Sequence, residues 1–296
     1  MNDRFPFLVA LLVVIAILAM YSLRSTHAHG PEPHKEPPDR YQVELAKVRT
    51  IVPSDAFFAV IEEPFVVVGD GGQEAVESFA ASTVRWSVKH LKQLYFEKDP
   101  DKVITVWLFK DGDSYRKHAK LLFDDEPDTP YGYYSPSHKA LVMNIATGGG
   151  TLVHEIVHPF VRANFPDCPD WLNEGLGSLY EQSSQRDGRI IGLTNWRLAG
   201  LQEAISSGSV PTFEHLIVEN RDGFYDNDPG TNYGQARYLC YYLQEKGKLT
   251  QFYHAFFKAK GADPTGIKTL RRILETDDLV AFQKQWEQWI MKLTFP

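Results

Sequence analysis

Cysteine is scarce in this chain: Cys168 and Cys240 are the only two in 296 residues. Two thiols cannot build a disulfide-dense scaffold or a four-cysteine zinc site. A block of basic residues is also missing. There are 38 acidic against 31 basic residues, a net charge of -7, which excludes a surface built to hold nucleic acid. The first forty residues carry four charges of each sign, so the acidic excess belongs to the remainder. No internal repeat is evident. What is present is ordinary globular composition, 43% hydrophobic and 13% aromatic, on a chain long enough to bury a large core.

The one long apolar run sits at the start. Residues 7–21 read FLVALLVVIAILAMY, and counting through Leu23 gives seventeen residues, close to the minimum that spans roughly 30 Å of hydrocarbon. Residues 1–26 are therefore expected to be a signal anchor, with cleavage near Ala28 and secretion as the alternative. Either outcome puts the globular part on the extracytoplasmic side, tethered to the membrane in the first case. Arg4 and Arg24 flank the run evenly and do not set its orientation. Residues 27–40, HAHGPEPHKEPPDR, hold four prolines and read as an extended linker. His27, His29 and His34 in it are given no metal role.

Residues 41–296 are expected to form the folded domain, with sub-lobes of about 41–150 and 151–296. β-Branched and aromatic runs at 57–68 (FFAVIEEPFVVV) and 103–109 (VITVWLF) predict strands. Apolar spacings of three and four predict a helix over 74–96 and another over 112–123. Residues 131–145 read as a strand pair turning at 136–138. Helices follow over 151–164, 172–183, 196–207, 233–246, 249–260, 266–274 and 277–292. A mixed sheet in the first half and helices in the second give an α+β class.

The chemistry lies in HEIVH at residues 154–158. One helical turn separates His154 from His158, so both imidazoles leave the same face and can hold one ion. Two neutral imidazoles suit zinc, whose catalytic sites use three protein ligands and an open corner for water. Glu155 stands beside that corner, placed to take a proton from water and pass it to a leaving amine. The third ligand is sought downstream, in DWLNEGLGSLYEQ at residues 170–182. Glu174 follows His158 by sixteen positions, room for one helix to end and another to return. Gly175 and Gly177 beside it would allow close packing. Glu181 serves as the comparison, an acidic residue expected to face solvent.

HEIVH followed by WLNEG resembles the gluzincin metallopeptidases, most closely the peptidase-MA-like families with a WLNEGLG-type second motif. The resemblance covers roughly residues 100–245, and its specific part lies within 151–181. It implies a zincin-like scaffold, Zn2+ as the cofactor, His154, His158 and Glu174 as metal ligands, and Glu155 as general base and acid. It also implies a tyrosine some sixty residues beyond the ligand glutamate that donates to the oxyanion. Tyr233, fifty-nine residues after Glu174, fits that place, with Tyr225 and His215 in reserve. From the family fold, the strand ending at Met143 and Asn144 would pair with an extended peptide.

Two features depart from the pattern. Pro159 directly after His158 removes the backbone donor to the carbonyl of Glu155 and is expected to kink the helix. Ser178 stands where thermolysin-like relatives carry an aspartate that orients a ligand histidine, so that partner must come from elsewhere. Cys168 and Cys240 either pair across the site or stay free. Residues 222–232 fail the calcium-loop pattern, since Arg237 stands at the terminal glutamate position, and read as a loop near the cleft. The expected function is zinc-dependent peptide hydrolysis on a peptide or protein substrate. The alternatives are a non-catalytic envelope binding module with the same fold, and a cell-wall amide hydrolase.

Overall fold

Alternating side chains build the sheet from both faces. A computed structural model of the chain describes residues 39–218, 221–226 and 229–295. Helix α1 (Arg40–Ile51) leads into a hairpin of β1 (Phe58–Glu62) and β2 (Phe65–Gly69). Next comes α2 (Gln73–Phe79), which continues through a π-helical stretch at Ala80–Arg85 into α3 (Trp86–Leu94). Then follow β3 (Ile104–Phe109), α4 (Gly112–Phe123), β4 (Gly132–Ser135) and β5 (Ala140–Asn144). The strand order is β1-β2-β3-β5-β4. The central strands β2, β3 and β5 are parallel, and the edge strands β1 and β4 are antiparallel to their neighbours.

In β2, Phe65 and Val67 point into one core while Val66 and Val68 point into the other. A strand covered on both faces has no polar alternation, and that is why FVVV is uninterrupted. One face carries α1 and α4, through Leu45, Val48, Tyr115 and Phe123 packed on Trp107 and Phe109. The other face receives α2, α3 and the helices that follow. Asp111 caps α4 by accepting a hydrogen bond from the Ser114 amide.

The second half opens with α5 (Gly150–Asn164) and α6 (Asp170–Tyr180), then a hairpin of β6 (Ser183–Arg186) and β7 (Arg189–Gly192). The remaining helices are α7 (Arg197–Ser207), α8 (Phe213–Val218), α9 (Arg221–Asp226), α10 (Pro229–Glu245), α11 (Leu249–Ala259), α12 (Ile267–Leu274) and α13 (Leu279–Ile290). The molecule is thus α+β, with its main sheet in the first half and helices dominating the second. One apolar core runs from Phe65 in the sheet to Ile290 in the last helix. Among the described residues no helix is long and apolar enough to cross a membrane. The expected anchor at 1–26 and the linker up to residue 38 lie outside the described residues.

Several expectations need correcting. The strand ending at Met143 and Asn144 is β5, and it has no free edge because β3 and β4 pair with its two sides. The open edge near the cleft belongs to β4. Residues 222–232 are not a loop: Arg221–Asp226 is helical and α10 starts at Pro229. Helix α1, hairpin β6–β7 and helix α8 were not anticipated from the pattern. Helix α5 has the expected extent, with Pro159 inside it. Of the two alternatives left open for the cysteines, the structure has the free one: both are free thiols.

Candidate metal centre

Helix α5 starts where the backbone can come closest to its neighbour. A Cβ on Gly150 would sit 2.2 Å from the carbonyl oxygen of Glu181, so only glycine fits there. The helix then buries Leu152, Val153, Ile156 and Val157 and turns its opposite side to a cleft of about 350 Å³. His154, Glu155 and His158 line that cleft. Helix α6 crosses against it. A Cβ at Gly177 would lie 3.1 Å from the His154 ring, and one at Gly175 would lie 2.9 Å from the Ala236 carbonyl of α10. The two glycines therefore serve different contacts: Gly177 admits the His154 ring, and Gly175 admits α10.

These approaches bring His154, His158 and Glu174 together, with one donor atom from each lying within 4.8 Å of the others. His154 and Glu174 are 7% and 5% exposed. Glu174 Oε2 lies 3.2 Å from His154 Nε2 and 3.7 Å from His158 Nε2. The outward nitrogens are fixed as well. His154 Nδ1 donates to Glu181 Oε1 at 3.1 Å, and His158 Nδ1 donates to Asn173 Oδ1 at 3.0 Å. Both rings thereby present Nε2 to the same point. This is the ring orientation that metal-binding histidines adopt, with the far N–H held by a carboxylate or amide oxygen.

Glu181 overturns the expectation that it faces solvent. It is 8% exposed and also accepts from Arg197 Nη2 at 2.7 Å, Arg197 Nε at 2.9 Å and Asn195 Nδ2 at 3.0 Å. It is the missing partner that Ser178 cannot be, since the Ser178 hydroxyl donates to the Glu174 carbonyl at 2.6 Å within its own helix. Glu181 stands seven residues after Glu174, two helical turns, and so lies on the same side of α6. That spacing was the available signal. Asn173 had none beyond adjacency to Glu174.

The cluster is built around a positive charge. Burial disfavours a proton on His154, yet the hydrogen bonds and charges of Glu174 and Glu181 outweigh it and raise its pKa to about 10. Burial would likewise push the two carboxyls up, but their bonds to His154, together with His158 at Glu174 and Arg197 at Glu181, hold both at about 2. Two imidazole nitrogens and a carboxylate oxygen converging in this way match a tetrahedral zinc donor set in number and type.

Two tyrosines close the site. Tyr225 donates to Glu174 Oε1 at 2.7 Å. The Tyr233 ring stacks on His154 at 6.4 Å with the Arg197 guanidinium over it at 5.1 Å. Burial, then the charge of Glu174, pushes both phenols far above their ordinary range, so both stay protonated donors. Glu155 is half-buried on the cleft wall, and among the described residues its carboxylate takes no hydrogen bond. His215 is exposed on α8 and does not line the cleft.

Residues 146–264 match a family model described as a protein of unknown function, DUF1570. No curated protein matches the chain. Among solved structures it is similar to yeast LTA4 hydrolase in complex with bestatin, at 17% identity and a TM-score of 0.44. It is also similar to native yeast LTA4 hydrolase, at 16% identity and a TM-score of 0.43. Each likeness covers 81% of this chain and 40% of the other, so the chain spans two fifths of those structures' length.

Proposed function

We propose that this chain is a zinc metallopeptidase of the gluzincin type, working on the extracytoplasmic side on a peptide or protein substrate. The observation that carries the reading is the convergence of His154, His158 and Glu174 within 4.8 Å, with Glu155 on the same cleft wall. The apolar run at residues 7–21 supports the location and the membrane tether. His154 and His158 through Nε2, and Glu174 through Oε2, would hold the ion. When bound, Zn2+ supplies Lewis acidity that polarises a carbonyl and acidifies water.

The chain's own residues do the rest. Glu155, whose carboxylate takes no hydrogen bond among the described residues, takes the proton from the attacking water and delivers it to the departing amine nitrogen. Tyr233, held protonated against the His154 ring, donates to the substrate oxygen as negative charge builds on it. Tyr225 holds the Oε1 oxygen of Glu174, which keeps Oε2 turned toward the histidines. Glu181 and Asn173 fix the two rings, and Arg197 fixes Glu181. The open edge of β4, not β5, borders the cleft through Tyr134 and is the strand an extended substrate would join.

The test is cleavage of a broad peptide library by the zinc-loaded full chain, read by mass spectrometry. Glu155→Gln should keep its zinc and lose activity by about 10²- to 10⁴-fold. Zinc binding without any cleavage would favour the binding module, and cleavage indifferent to Glu155→Gln would refute the assigned base.

A further inference from the structure

Next to the metal cleft lies a second pocket, of about 310 Å³, that shares Tyr134 and Arg162 with it. Arg162 stands four residues after His158, one turn further along the same side of α5. Its guanidinium lies 6.0 Å from the centre of the Tyr134 ring, and Tyr134 faces the α5 side of the sheet on edge strand β4. The two residues form the sill between the pockets. Pro159, the residue after His158, lines the second pocket, so its mouth begins one residue from a metal ligand.

The pocket's charge runs against that of the molecule. The chain carries a net charge of -7, yet three of the four charged residues lining this pocket are cations: Lys102, Lys139 and Arg162, with Asp101 the exception. Among the described residues none of the three makes a salt bridge to a carboxylate. The walls between them are apolar, from Ile104, Pro136, Pro159 and Ala163. Apolar walls lower the local dielectric and strengthen the attraction of an anion to the cationic rim.

We infer that this pocket is a specificity subsite for a carboxylate on a substrate residue flanking the scissile bond, with Arg162 as the residue that selects it. The inference rests on the peptidase reading above and adds the substrate class. An apolar stem ending in a carboxylate satisfies both features of the pocket, whereas a lysine side chain would meet three like charges. A glutamate side chain and the free C-terminus of a peptide offer the same chemistry.

The experiment uses short peptide hydroxamates, which anchor on the zinc of the loaded full chain, with affinity measured by calorimetry. Three amidated probes differ in one residue, glutamate, leucine or lysine, and a fourth carries leucine with a free C-terminal carboxylate. The glutamate or the free-carboxylate probe should bind at least about tenfold tighter than the lysine probe. Whichever of the two wins identifies the source of the carboxylate. Arg162→Glu combined with Lys139→Glu, both exposed positions, should retain zinc and reverse the order. Equal affinities in the wild type, or an order unchanged by the double variant, would overturn the subsite while leaving the metal centre intact. Zinc loading with no hydroxamate bound at all would overturn the subsite and the peptidase reading together.

Discussion

The two histidines of one helical turn live in different surroundings. His154 is enclosed between two carboxylates, Glu174 and Glu181, the second anchored by Arg197 and Asn195. His158 is half-exposed at the cleft and holds a neutral amide, Asn173. The inner ring is fixed by charge and the outer ring by a dipole. The difference teaches where a proton would compete with a bound metal: at His154, whose pKa is raised to about 10 by its carboxylates against the effect of burial.

The comparison breaks most completely if the carboxylate common to both rings is removed. Glu174→Ala should weaken zinc binding beyond the roughly 100-fold upper end expected for an outer partner, measured by competition with a chelating dye. Next in size is Glu181→Gln, which keeps the shape but removes the inner charge. It should cost about 10- to 100-fold in zinc affinity. It should also destabilise the zinc-free fold by about 2 to 3 kcal/mol in denaturant titration, because Arg197 loses its carboxylate. Asn173→Ala should cost less, about tenfold or below, since only a neutral contact at the more open ring is lost. Equal losses for Glu181→Gln and Asn173→Ala would erase the distinction drawn between the two rings.

A further effect is graded with pH. In the zinc-free chain His154 binds its proton more tightly when folded than when unfolded. That stabilisation is complete below about pH 6.5 and is lost as pH rises toward 10, by at most ~1.4 kcal/mol per pH unit. Glu174 and Glu181 have the opposite sign. With their pKa values held at about 2, their contribution is present above about pH 4.5 and is lost as pH falls toward 2. Denaturant titrations with chelator should therefore show a stability plateau near pH 4.5 to 6.5, and zinc should flatten the alkaline decline by replacing the proton. An alkaline slope unchanged by zinc would contradict this.

The parts of the molecule governed by local spacing were readable from residues alone. Strand β3, helix α4 and the metal helix lie within a residue of their expected bounds, because apolar period fixes them. His154, His158 and Glu174 were readable for the same reason, a turn of helix and a return. Hairpin β6–β7 was missed although Asp187-Gly188 occupies its turn with positive φ at both residues. That hairpin carries the chain from Glu181 back to Asn195 and Arg197, so missing it hid the carboxylate's partners. Two helical turns past Glu174 put Glu181 on the right side, but which ring it holds depended on a contact twenty-seven residues away in sequence. Helix α1 was missed because it buries little beyond Tyr41, Leu45 and Val48.

The central claim is a single cation held by His154, His158 and Glu174. Zinc-edge X-ray absorption on the purified full chain, with metal content measured on the same sample, tests it most directly. The account predicts one zinc per chain with two imidazole nitrogens at about 2.0–2.1 Å and a carboxylate oxygen in the same shell, all lost in Glu174→Ala. A chain that takes up no stoichiometric zinc, or one whose zinc environment is unchanged by that substitution, would contradict it.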